Sequence, residues 1–519
     1  MAGAWRKAGA SASVTHPSVT SAWRRRGVCF AAVSRWMKVR TASVLAALAL
    51  GGCSALVNPD PADLGGGVGV DAGPGVDAGP GVDAGPGVDA GPGVDAGPGV
   101  DAGPGVDAGP CPRAPICDGD ILEFCDGDTL VRRDCPGGCM DGACVPPTED
   151  WIPSNVSADY WRSGVGSLET ESGDLSFDTT TCMSRSGRSE IVGLDEGVEA
   201  CVLSLDSLRL GPGVTLTIRG SRPVIFMVGD VASIEGVIDV SAVGDQPGPG
   251  GSAGGTRFAP TPAGLGGGER GENDGFNDGG GGGGGACGDG GNGGDGGSAE
   301  GGEGGEGFLL GGALEPLRGG GGGGLGDGAM LFPPTRTNAG PGGAGGGAIQ
   351  ISARERLIFG GTILAGGGGG QPGGNLGAGE SNWGSGGGGG AGGSVLLESP
   401  VIEVTDGVVN AAGGGGGGSA SSGGSGTAGQ DGRDAEVRAV GGEPGPSPRG
   451  DFGAEGGDGG GGSQANGDLG ASNDRSGANG GGGGGGGGCI LVRNATGSAP
   501  DGLFRTPTAP AFRVLPIRR

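Results

Sequence analysis

The chain is predicted to be all-β: a right-handed, parallel β-helix-like solenoid with long glycine-rich disordered loops, preceded by a disordered tether and a small disulfide-rich module. Three observations carry this expectation. Of 519 residues 141 are Gly and only 34% are hydrophobic, so most of the chain cannot build an ordinary enzyme core. The apolar residues gather in short runs of strand composition: VTLTIRG (214–220), PVIFMVGD (223–230) and SIEGVIDVSA (233–242). Finally, AIQISARERLIFGGTILAGGGG (348–369) aligns without gaps on SVLLESPVIEVTDGVVNAAGGG (394–415). That alignment sets Ile349, Ile351, Ile358, Gly361 and Ile363 on Val395, Leu397, Val404, Gly407 and Val409. Short repeated strands that cannot each bury a face predict stacking. Recurrent corner glycines and a scarcity of hairpin dipeptides favour parallel strands over a sandwich.

Residues 1–36 carry Arg24-Arg25-Arg26 without coherent periodicity, and the true start is expected at Met37. Residues 37–52 read as a signal peptide. Lys38 and Arg40 are its basic region, Val44 to Leu50 its apolar run, and Gly51-Gly52 its small residues. Leu50-Gly51-Gly52-Cys53 resembles the lipobox of bacterial lipoproteins. The resemblance implies lipidation of Cys53 and export to the outer membrane, periplasm or cell surface. Ser54, rather than Asp, gives no resemblance to the inner-membrane retention signal. Cleavage before Cys53 would remove Lys7, Lys38 and the single histidine, His16. The mature chain would then lack the commonest general base and the Schiff-base nucleophile.

Residues 53–110 form the expected tether. VDAGPG recurs with period six, marked by Asp71, Asp77, Asp83, Asp89, Asp95, Asp101 and Asp107. Pro, Gly and one charge per repeat predict an extended, solvated spacer. Residues 111–147 crowd Cys111, Cys117, Cys125, Cys135, Cys139 and Cys144 into a module too small for a core, where disulfides are expected and their connectivity is open. Residues 148–211 read as a cap and 212–519 as the solenoid. Cys182 and Cys201 flank a short polar loop that a disulfide would close, whereas the sequence does not constrain whether Cys287 and Cys489 pair. The lipobox, the DAGP spacer, the CPGGC turn and the GGG–strand–strand cadence together resemble glycine-rich surface lipoproteins of myxobacterial type. That resemblance implies surface exposure rather than an activity.

A formal charge of −26 disfavours nucleic acid as a partner. Ordering a seven-glycine tract such as 279–285 costs about 7–14 kcal/mol of backbone entropy, so the tracts are expected to be disordered. The competing reading is polyglycine helices. Asp289, Asn292, Asp295, Glu300, Glu303 and Glu306 fall on a mostly three-residue period, which matches three residues per turn. GGEGGEGFL (301–309) resembles one calcium nonapeptide with Glu for Asp, but no tandem copy follows. Weak Ca²⁺ binding by an acidic surface is therefore expected, with no defined metal site and no cofactor. GxGxxG matches lack a βαβ context. Glycoside hydrolysis would need facing carboxylates, and Glu235, Asp239, Glu403 and Asp406 are the candidates; solvent-facing strand residues are the simpler account. The expectation is a membrane-anchored surface lipoprotein with a structural, adhesive or matrix role, glycan or cell-surface partners and no catalysis. The alternatives are a carbohydrate-active enzyme and a Ca²⁺-binding glycine-rich surface protein.

Overall fold

A computed structural model describes residues 114–144, 151–308, 313–376, 383–434, 437–500 and 512–518, apart from single positions and short stretches within them. The signal segment, Cys53, the VDAGPG repeat and Cys111 lie outside the described residues.

The Cys-rich module pairs β1 (Ile116–Asp118), β2 (Ile121–Asp126) and β3 (Thr129–Asp134) in an antiparallel sheet, with β4 (Cys139–Met140) against β5 (Ala143–Cys144). Among the described residues, Leu122 and Cys135 are its buried side chains. So small a core needs covalent help: Cys117 is bonded to Cys139, and Cys125 and Cys135 are also in disulfides.

The body begins with β6 (Leu168–Thr170), β7 (Asp174–Asp178), β8 (Arg188–Gly193) and β9 (Glu199–Leu205). It continues through β10 (Leu208–Leu210), β11 (Thr215–Arg219), β12 (Val224–Val228), β13 (Val231–Ile234) and β14 (Val237–Asp239). After the short pair β15 (Met330–Leu331) and β16 (Arg336–Thr337) come β17 (Ala348–Ala353), β18 (Arg356–Phe359) and β19 (Thr362–Leu364). The last strands are β20 (Ser394–Glu398), β21 (Val401–Val404), β22 (Val408–Asn410), β23 (Cys489–Asn494) and β24 (Phe512–Pro516). Three sheets result, in the orders β21-β18-β13-β10-β6, β22-β19-β14-β11-β7 and β24-β23-β20-β17-β12-β9-β8. The third is mixed, since β8 runs antiparallel to β9. Cys182 and Cys201 are bonded beside that pair.

Burial explains the composition of the strands. In the first sheet VASI, RLIF and VIEV bury every second residue, because one face meets solvent. In the third, VIFMV, SVLLE and CILVRN are buried throughout. Its inner face joins the apolar core around Phe226, Ile234, Ile351 and Phe359. Its outer face is covered by Val156, Leu314 and Leu317. Phe226→Ala should therefore cost about 3–5 kcal/mol in a denaturant titration. The outer face also holds a polar strap: Ser154 Oγ donates to Glu398 at 2.5 Å, Ser352 Oγ at 2.8 Å, and Arg493 Nε lies 3.6 Å away. Burial pushes the Glu398 carboxyl upward in pKa against those bonds.

The ungapped match of 348–369 on 394–415 breaks in its middle strand. Ile349 pairs with Val395 and Ile363 with Val409, but Ile358 faces Glu403 while Phe359 takes Val404. The first corner of the later unit is one residue shorter and the second one longer. Asp406 fills the longer corner at φ 59°. A one-residue slip reverses the faces of a strand, so Leu357 and Phe359 point inward and Ile358 does not.

Between β14 and β17, β19 and β20, and β22 and β23 the chain leaves the sheets for its glycine tracts. Gly279, Gly282 and Gly285 donate to the carbonyls of Glu272, Glu269 and Gly266; Gly280 and Gly283 to those of Gly294 and Gly291; Gly281 and Gly284 to those of Gly386 and Gly389. Every third residue thus meets the same neighbour, which is a threefold, polyproline-II-type helix. The carbonyls of the same tract receive Gly302 and Gly305, Gly321 and Gly324, and Gly483 and Gly486. Segment 279–285 is therefore walled in on every side by other extended segments, in hexagonal packing. Segments 386–392, 413–418 and 480–487 repeat the arrangement and are buried. Most interior positions are held to glycine: a Cβ at Gly282, Gly388 or Gly414 would stand under 3.0 Å from a neighbouring backbone atom, although Ala391 is accommodated in the same interior. On surface segments every third residue points outward, which places Glu300, Glu303 and Glu306 in solvent.

These findings correct the expected fold. The strands belong to several sheets, parallel and mixed, and do not make one β-helix solenoid over 212–519. Strands from 168 onward, inside the expected cap, are part of the body. The glycine tracts are ordered, not disordered loops. The entropic argument for disorder omitted the compensation: an interior glycine both donates and accepts a hydrogen bond, each worth about 0.5–1.5 kcal/mol net, with Cα–H···O contacts beside them.

Candidate functional site

At one end the glycine helices run into strands, as at Gly347-Ala348, Gly393-Ser394 and Gly488-Cys489. At the other they turn back through loops that carry polar and charged side chains. Asp274 organises one of them. Its carboxylate accepts from the backbone N–H of Phe276 and Asn277, from Asn277 Nδ2 at 2.6 Å and from Ser298 Oγ. Those bonds, led by the Ser298 and Asn277 side chains, hold its pKa far below the ordinary carboxylate value. The loop so fixed leaves Phe276 73% exposed.

Beneath the loop lies a buried polar layer. Asp278 and Asp327 are 5% and 3% exposed. Asn273 donates to Asp278, and Arg270 Nη2 meets Asp327 Oδ2 at 2.5 Å. Asp327 N–H donates to Gly279 O at 3.0 Å, while Ser385 Oγ lies 2.6 Å from that carbonyl and 2.8 Å from Asp327 O. Asn479 pairs through its backbone with Asp278. Burial, then the charges of Asp327 and Asp274, push the Asp278 pKa up to about 7. A raised carboxyl pKa means that the folded state holds the proton more tightly than the unfolded chain, so stability falls as pH rises from about 4 to 7. The expected loss is a few kcal/mol. Asp278→Asn should flatten that slope in thermal melts at stepped pH.

Below pH 4 the sign reverses. The depressed carboxyls of Asp274, Asp178 and Asp206, each held by hydrogen bonds, must then be protonated. Their share of stability is lost as pH falls.

The candidates named from sequence lie elsewhere and are not brought together. Asp239 is ion-paired with Arg219 at 2.7 Å, and Glu403 lies 3.4 Å from Arg133 and 3.6 Å from Arg356. Glu235 and Asp406 are exposed at strand corners. The nonapeptide-like stretch runs, over 301–308, as one surface segment of the bundle with its glutamates outward. Cys287 and Cys489 are bonded across 202 residues. A cavity of about 400 Å³ beside Phe308 holds Arg222 and Arg318, but Glu199 and Glu196 already occupy these guanidinium groups. Among the described residues no group of three or more Asp, Glu, Cys or His is placed to hold a metal.

Sequence reasoning missed Arg270, Asp278, Asp327, Asn338 and Asn479. A signal was available, because single polar residues sit at the ends of pure glycine tracts, as in Asn277-Asp278-Gly279, Gly326-Asp327-Gly328 and Ala478-Asn479-Gly480. Compared with protein-family models, curated proteins and solved structures, the chain matches none.

Proposed function

We propose that the chain is an exported, lipid-anchored surface protein that holds a rigid tip away from the membrane in a structural or adhesive role, without catalysis. The observation that carries this reading is Phe276, an exposed ring on a loop clamped by Asp274, at the end of a hydrogen-bonded glycine bundle. A pre-ordered aromatic binds without paying for immobilisation, and a flat apolar ring suits a sugar face. The carboxylates that an enzyme reading would use on the strands are either ion-paired or alone at corners, which favours presentation over hydrolysis.

The test has two parts. Mass spectrometry of the membrane-extracted protein should find diacylglycerol on Cys53. Phe276→Ser should lower binding of the purified protein to cells or immobilised surface polysaccharide by tenfold or more, while Leu469→Ser, an exposed apolar change on a surface segment of the bundle, should not. An unmodified Cys53 would remove the anchor from the proposal. Equal binding by both variants would remove the adhesive tip.

A further inference from the structure

We propose that the cavity beside Phe308 is a binding site for a carboxylate-bearing sugar, one hexuronate residue, with Arg318 as the receptor for its carboxylate. The cavity lies where the glycine bundle joins the sheets, between the loops that enter β9 and β12 and the segments 250–252, 264–265 and 317–319. This goes beyond the adhesive reading, and neither Phe276 nor the lipid anchor enters it.

Shape is the first argument. The cavity has a volume of about 400 Å³, within the range of small-ligand sites. Gly197, Gly250, Gly264 and Gly319 line it without side chains. Gly264 stands at φ 117°, where a larger residue would be strained, and a Cβ there would come to 3.1 Å from Ser252 Oγ. The apolar lining comes from Pro223, Leu265, Leu317 and Phe308, and the Phe308 ring is seated against Gly266. An aromatic ring beside uncommitted polar groups suits a small molecule with one apolar face and a polar rim.

The polar groups decide which molecule. Arg222 is fully engaged: its Nε and Nη2 meet Glu199 Oε2 at 3.0 and 2.9 Å, and its Nη1 donates to Thr180 O at 2.7 Å. Arg318 is not. It holds Glu196 through Nη2 alone, at 2.8 Å, and among the described residues its Nε and Nη1 have no partner. The Glu196 side chain is 66% exposed, and so exposed an ion pair contributes only about 0–1 kcal/mol. A guanidinium that already accepts one carboxylate, with further N–H groups open at a cavity wall, is a ready receptor for another. Ser221 and Ser252 also line the cavity, and neither hydroxyl has a hydrogen-bond partner among the described residues.

A hexuronate answers each of these groups. Its carboxylate would take Arg318, beside Glu196 or in its place. Its hydroxyls would meet Ser221, Ser252 and the second carboxylate oxygen of Glu199, and its apolar ring face would lie on Phe308. A neutral sugar would leave the open Arg318 donors without a charged partner, and an alkyl carboxylate would leave the hydroxyls unmatched. The negative charge of the whole chain does not bar such an anion at physiological ionic strength. Screening acts over about 8 Å, and two guanidinium groups line the cavity itself.

The experiment is a saturation-transfer NMR titration of the full chain, in about 150 mM NaCl, with the methyl glycosides of glucuronate and galacturonate. Methyl galactoside and hexanoate are the comparison ligands. The expected result is saturable binding of at least one uronate, about tenfold tighter than either comparison ligand. Arg318→Gln should weaken it about tenfold. Glu196→Gln removes the competing carboxylate and should instead strengthen it about threefold. Glu171→Gln makes the same charge change on an ion pair with Arg209, outside the cavity lining, and should have no effect. Phe276→Ser should also leave it unchanged, which separates this site from the adhesive tip. No saturable uronate binding would overturn the proposal. So would galactoside or hexanoate binding equally well, Glu196→Gln and Glu171→Gln acting alike, or loss of binding in Phe276→Ser.

Discussion

Gly388→Val should destabilise the protein by at least about 3 kcal/mol, more than any surface change in the same region. Gly388 lies inside the bundle: its N–H donates to Gly324 O, and its carbonyl accepts from Gly343. A Cβ there would press on the backbone of Gly282 and Gly283. These atoms are main chain held by their own hydrogen bonds, so no side chain can rotate away. Making room means parting helices, and each parted pair loses bonds spaced every three residues. Glu303→Ala, at an outward position one helix away, should change stability by no more than about 0.5 kcal/mol. Thermal melts of the two variants, with hydrogen exchange over 279–285, make the comparison. Similar melts for both would mean that the interior is looser than its bonding implies.

The second large effect concerns the Cys287–Cys489 disulfide, which joins the base-side end of one glycine helix to the first residue of β23. Its span of 202 residues closes a long loop in the unfolded chain, for which the chain-entropy account gives about 5 kcal/mol. Cys182–Cys201 closes only 19 and should contribute about 3 kcal/mol. Alanine pairs at each site, compared by denaturant midpoint, test the order. The longer loop should lose more. The reverse order would mean that residual structure in the unfolded chain, not loop length, sets the stabilisation.

What was legible in the sequence depended on where side chains carry the information. The strands at 214–220, 223–230 and 233–242 could be read because β-branched residues mark them, and β11 to β14 lie there. The repeat of 348–369 on 394–415 was legible at both outer strands. It failed at Ile358 because a one-residue exchange between two corners leaves the overall spacing unchanged. The glycine tracts were illegible for a more basic reason. With no side chain, a tract contributes nothing to a periodicity argument, and its ordering is determined by the neighbours rather than by itself. The period of Asp289, Asn292 and Asp295 did record the three-residue turn. In the structure their carboxylate and amide oxygens accept Gly307, Gly304 and Gly301 N–H groups along the bundle's edge. Asp278 and Asn479 were overlooked because a polar residue beside glycines looks like an ordinary turn.

The threefold register also constrains how such a gene can change. One helical turn is three residues, about 9 Å of length, and is encoded by nine nucleotides. An insertion of one or two codons in a surface segment such as 300–306 would rotate every later glycine of that segment toward a different neighbour and drive its outward-facing glutamates into the interior. Inserting a whole turn keeps each residue facing its partner, provided the returning arm grows equally. Two matched nine-nucleotide insertions, one on each arm of a hairpin, are thus the smallest lengthening that keeps the register. Length variants of this bundle should therefore differ by six residues per hairpin, with the tip loops carried outward unchanged.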